Sequence, residues 1–207
     1  MNSSKPKNSS ETVQQDMRNW LERAVIGLNL CPFAKGVHVK GQIHYVVSQA
    51  TGPQELLQDL HRELKNLAAI DSSERDTTLL IAPGCFPEFL DFNDFLAQAD
   101  QALVELELDG ILQIASFHPG FQFAGTAADD ITNFTNRAPY PTLHLLREDS
   151  IDRAVEAFPE AETIFEQNMH TLEQLGHAGW AALGVGRTEA APEAESADEA
   201  SRGKIKP

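Results

Sequence analysis

Four strand-length segments, spaced by stretches long enough for helices, leave this chain few folds to adopt. Residues 42–48, QIHYVVS, are β-branched and alternate in polarity. Residues 77–82, TTLLIA, are a short apolar run stopped by Pro83, and residues 111–117, ILQIASF, and 142–146, TLHLL, read as two more strands. Between the first three strands lie two amphipathic helices. One opens at Gly52-Pro53 and repeats Leu56, Leu57, Leu60, Leu64 and Leu67 at helical spacing. The other takes Asp91 as its expected N-cap and turns Phe92, Phe95, Ala99 and Leu103 inward. Strands joined through helices of about 15 residues call for right-handed crossovers and a sheet that is at least partly parallel. A helix over residues 12–28, with Val13, Met17, Trp20, Leu21, Ala24 and Val25 on one face, precedes the first strand and stops near Asn29, since Pro32 prevents its continuation. Two helices follow the last strand, a short one from Ser150 and a longer one over residues 160–175. The expected fold is α/β: one domain, a four-stranded mixed sheet with helices packed on it.

Residues 1–11 and 187–207 have no periodic apolar face, and the second stretch is acidic and low in complexity, rich in Ala, Glu and Ser. Neither buries enough apolar surface to offset the entropy of ordering, so both are expected to be disordered tails around a domain at residues 12–186. The formal net charge of −15 falls almost entirely on that domain. So acidic a surface repels phosphate backbones and anionic bilayers, which excludes nucleic-acid and membrane partners and leaves a small molecule as the expected ligand. No apolar run approaches the ~18 residues of a membrane span, and the N-terminus lacks a signal-peptide pattern. The two cysteines, Cys31 and Cys85, are too few for a disulfide framework. A cytoplasmic location follows as the expectation.

The candidate chemistry gathers after the third strand. Residues 118–140 make a connection too long to be idle in a compact domain, leaving the carboxyl end of a strand, where open α/β sheets usually bind ligands. On an acidic background this stretch and the strand after it concentrate His118, Asn133, Asn136, Arg137, His144 and Arg147. His118, directly at the strand end, suits a general base, a donor or a metal ligand. His144 shares a strand face with Thr142 and Leu146, as a core histidine or a site residue. Arg137, at a bend stiffened by Pro139, suits a bidentate clamp on a carboxylate or phosphate; the alternative is an ion pair with Asp129, Asp130 or Glu148. His118, Asn136, Arg137 and His144 are expected to converge on one pocket. Cys31 is the remaining candidate: Pro32 fixes the direction of its thiol and Lys35 is placed to lower its pKa, which suits a nucleophile or a haem-iron ligand. Packing is the plainer reading of a free cysteine. No zinc motif, phosphate-binding loop, dinucleotide fingerprint or nucleophile elbow is present.

The segments LNLCPFAK, QIASFHPGFQFAGT and DITNFTNRAPYPTLHLLRED, in that order, resemble the hallmarks of the domain-of-unknown-function 1415 family of bacteria and plants, with the likeness running from Trp20 to Trp180. Phe121 and Ala138 depart from the family's tyrosine and serine at those places, which weakens any role for a hydroxyl there. The resemblance implies no activity. The layout of helix, Cys-Pro turn, strands, Phe-Ala-Gly and Asn-Arg loop is also similar to that of the small haem-dependent guanidine N-hydroxylases, and that likeness implies haem or iron held by Cys31 or His118. Three functions are therefore carried forward: a small-molecule enzyme using Cys31, His118 and His144 with Asn133, Asn136, Arg137 and Arg147 as ligand contacts, a haem or iron redox protein, and a non-catalytic binding protein.

Overall fold

A computed structural model describes residues 9–157 and 163–188; of the tails expected at residues 1–11 and 187–207, residues 1–8 and 189–207 lie outside the described residues, while Ser10 and Glu11 belong to the first helix. Helix α1 (Ser10–Trp20) starts where Ser9 accepts a hydrogen bond from the Thr12 N–H at 3.1 Å, one residue pair earlier than the apolar stripe alone indicates. It runs on as a π-helical turn over Leu21–Ile26, so that Val13, Met17, Trp20, Leu21, Ala24 and Val25 are all buried on one side. Asn29, at φ 56°, takes the left-handed conformation that ends the helix. A short helix, α2 (Ala34–Val39), then precedes β1 (Ile43–Val47); the sequence pattern gave no sign of it.

Helix α3 (Pro53–Ala69) places Pro53 in its first turn, where a missing N–H costs nothing, and buries Leu56, Leu60, Leu64 and Leu67 completely. Each such leucine contributes about 2 kcal/mol of apolar burial. Strand β2 (Thr77–Ile81) is buried at all five positions. Helix α4 (Phe89–Glu105) begins at Glu88 rather than at Asp91, and β3 (Leu112–Phe117) follows. After the long loop come β4 (Thr142–Arg147), α5 (Glu148–Ala157) and α6 (Ile164–Ala182), the last kinked at Gly176.

The four strands form one mixed sheet in the order β1-β2-β4-β3, with β1 parallel to β2 and β4 antiparallel to both neighbours. Alternation along β2 divides two cores. Leu80 faces α3 and α4 with Leu143, Leu145 and Leu112, whereas Leu79 and Ile81 face α1 and its π turn with Tyr45. No helix among the described residues is long and apolar enough to cross a membrane.

Candidate functional site

The loop after β3 is held by its own polar side chains. His118 is buried, and its Nε2 lies 2.9 Å from the Phe86 carbonyl, so that nitrogen carries the proton and donates. Nδ1 then accepts from the Gly120 N–H at 2.9 Å. Both ring nitrogens are used, and the ring lies against Phe89 and Phe92. Burial lowers the pKa of this imidazole and keeps it neutral. Asn133, wholly buried, accepts at Oδ1 from the Phe123 N–H and the Thr126 hydroxyl and donates from Nδ2 to the Ala127 carbonyl. Asn136 receives the His118 N–H on its backbone carbonyl, and its side-chain amide bonds no described residue. Arg137 forms no ion pair with Asp129, Asp130 or Glu148. Its Nε donates to the Phe121 carbonyl at 3.0 Å, its Nη2 to the Ala128 carbonyl at 2.6 Å, and its guanidinium lies 4.5 Å over the Phe134 ring. The Trp20 indole N–H, donating to the Arg137 carbonyl at 2.9 Å, ties the loop to α1.

Arg147 sits at the far end of β4. Its Nη2 donates to the carbonyls of Leu67, Ile70 and Arg75, and its Nε also reaches Arg75. It caps the negative end of α3, where orphan carbonyls and the helix dipole both favour a cation.

His144 and Cys31 are placed otherwise. On the α1 side of the sheet lies a cavity of about 880 Å³, lined by both residues and by none of His118, Asn133, Asn136, Arg137 and Arg147. The expected convergence is therefore split: His118, Asn136 and Arg137 gather in the loop, while His144 points into the cavity. The β4 register sets this direction. Leu143 and Leu145 go to the α3–α4 core, so Thr142, His144 and Leu146 must face α1. His144 pairs with Leu79 on one side and Ala115 on the other, and its ring lies 6.0 Å from that of Phe117. Neither ring nitrogen has a hydrogen-bond partner among the described residues. Desolvation pushes its pKa down to about 4, so the imidazole is neutral at physiological pH.

Trp20, Leu21 and Val25 roof the cavity, and α5 borders it with Ile151 and Ala154. Although α5 is amphipathic, none of its residues is buried, because its apolar side borders this cavity rather than packed core. Cys31 stands in the wall. Burial raises its thiol pKa, and the N–H groups of Phe33 and Ala34 oppose that only in part. Lys35, expected to lower it, is exposed, does not line the cavity and has no part in the shift. Exposed Lys40 and Arg153 line the cavity too. Sequence reasoning missed both: Arg153 lies within the short helix expected from Ser150, and nothing in the pattern around Lys40 marks it.

Among the described residues, no three His, Cys, Asp or Glu side chains gather to chelate a bare metal ion. Over residues 12–182 the chain matches a family model described as "Protein of unknown function (DUF1415)". No curated protein and no solved structure matches it.

Proposed function

Since this chain belongs to the DUF1415 family, whose description names no activity, we propose its function from the cavity itself: it binds a small molecule with an apolar body, which His144 meets through a neutral imidazole. One observation carries this reading. His144 is half-buried, its imidazole has no hydrogen-bond partner among the described residues, and it faces a cavity of about 880 Å³ in which a ligand would supply one. The volume falls within the range of about 300–1,000 Å³ typical of ligand pockets. With a pKa of about 4, His144 is a weak base, so it suits donating, accepting or ligating a metal better than abstracting a proton at neutral pH. Cys31, protonated in the wall, is the one thiol beside such a ligand.

The neutral fluorophore N-phenyl-1-naphthylamine tests this. Saturable one-to-one binding to the full chain is expected, lost in both His144→Trp and Ala154→Trp, which fill the cavity from opposite sides. An absence of binding, or binding unchanged in a folded filled variant, overturns the reading.

The same histidine favours a second reading, a haem protein. A neutral imidazole with a free lone pair is an axial ligand in waiting, and haem carries its other four donors itself, so no cluster of protein ligands is needed. His144 suits the role better than His118, whose nitrogens are both bonded, or Cys31, whose thiol burial keeps protonated. Titration with haemin should then give a shifted Soret band that His144→Ala removes; the same spectrum in both proteins excludes His144 as the ligand.

A further inference from the structure

We infer that the ligand of this cavity is an amphipathic carboxylate, its apolar body lying along the sheet and its charged end held at the mouth by Lys40 and Arg153. The inference rests on the binding reading above and adds the chemical class. The sheet register gives the cavity a polar and an apolar end. One rung of the floor is Thr77, Leu146 and Gln113; the next is Leu79, His144 and Ala115; Phe117 stands on the third. Rungs on one face are two residues apart, or about 7 Å, so roughly 13 Å separates the polar rung from Phe117. Of the exposed lining residues, Lys40, Ser73 and Arg153 stand at the Thr77 end, through Gln42 and through Ser150 and Asp76, which makes that end the mouth. Trp20, Leu21 and Phe117 close the other end with apolar surface.

The charges at the mouth are unbalanced. Neither Lys40 nor Arg153 has a carboxylate partner among the ion pairs of the described residues. Arg153 is steadied by one hydrogen bond, from Nη2 to the Ser150 hydroxyl at 3.0 Å, which leaves most of its fork free. Among the described residues the lining has one carboxylate, Asp76, whose Oδ1 already accepts from that same Ser150 hydroxyl at 2.6 Å. Among the described residues two cations thus meet one carboxylate, on a protein whose formal net charge is −15. The net charge of such a protein repels anions. A carboxylate at the mouth would pair with both cations, while a chain or ring system extends past His144 into the apolar end.

Displacement of bound N-phenyl-1-naphthylamine by decanoate and by 1-decanol tests this, since the two share an apolar body and differ in the charged end. In the unaltered chain decanoate should displace the fluorophore at about a tenfold lower concentration than decanol, and added salt should erode that advantage. The double variant Lys40→Gln, Arg153→Gln should abolish the preference while decanol displaces as before. Equal potency of the two in the unaltered chain, or a preference that survives the double variant, overturns the carboxylate assignment and leaves the binding reading standing. A chain that binds no fluorophore at all overturns the binding reading itself.

Discussion

His144 has a cost that is readable from solution. Its pKa of about 4 lies below the ordinary value of 6.5, so between those two pH values the unfolded chain binds a proton that the folded one refuses. Folding stability therefore rises with pH across that window and is lost as pH falls from about 6.5 towards 4, by up to about 3 kcal/mol from this residue. Burial lowers the His118 pKa too, adding a slope of the same sign. His144→Leu should flatten the profile of thermal stability between pH 7 and 4 and raise stability at neutral pH by about 1 kcal/mol, because an unpartnered polar ring is replaced by an apolar side chain. A destabilised variant with an unchanged pH profile would make His144 a packing residue. Cys31 has the opposite sign. A thiol raised by burial should alkylate more than about tenfold slower than a free cysteine at neutral pH and at full rate once the protein unfolds; rapid labelling of the native protein would show a lowered pKa instead.

At the level of elements, much was legible in the chain itself. The leucine repeat of α3, the buried run of β2 and the alternation of β4 each force one local structure, because no other arrangement hides their apolar groups. What misled was polarity. His118, Asn133 and Arg137 resemble a site because they crowd a stiff loop, yet their polar atoms close on carbonyls and N–H groups from 2 to 32 residues away, contacts that residue types and spacing do not reveal. Helix α2 carries too short an apolar period to be seen, and the π turn after α1 is indistinguishable from continued α-helix by pattern. Arg147 is the clearest case of an arginine read as a ligand contact and found as a helix cap. Arg147→Met, which keeps much of the stem and removes the donors, should strand the carbonyls of Leu67, Ile70 and Arg75 and cost about 3 kcal/mol of stability. Amide exchange should accelerate in the last turn of α3 first, and uniform exchange with unchanged stability would argue against a capping role.

Over the whole molecule the hardest property to read was closure, meaning which distant segments finish the structure. The sequence sets helix α1 against the sheet through its apolar stripe, but it gives no hint that residues after α6 return to α1. Asp16, 2% exposed, accepts from the Tyr140 hydroxyl at 2.7 Å, from the Thr188 N–H at 2.9 Å and from the Thr188 hydroxyl at 2.6 Å. Arg187 donates to the Pro139 carbonyl and lies 4.8 Å over the Tyr140 ring, and Val185 is buried in the same core. A domain expected to end at residue 186 therefore reaches Thr188, because a buried carboxylate needs every donor it can hold. The consequence is sharp at two residues. A chain ending after Thr188 should melt like the full chain. One ending after Gly186 leaves Asp16 with the Tyr140 hydroxyl as its one remaining donor of those three and should lose about 2–3 kcal/mol. That loss should be largely recovered when Asp16→Asn is added to the shorter chain, since the amide removes the charge that went unmatched. Equal melting of the two truncated chains would show that the Arg187–Thr188 strap contributes nothing to holding α1 over the cavity.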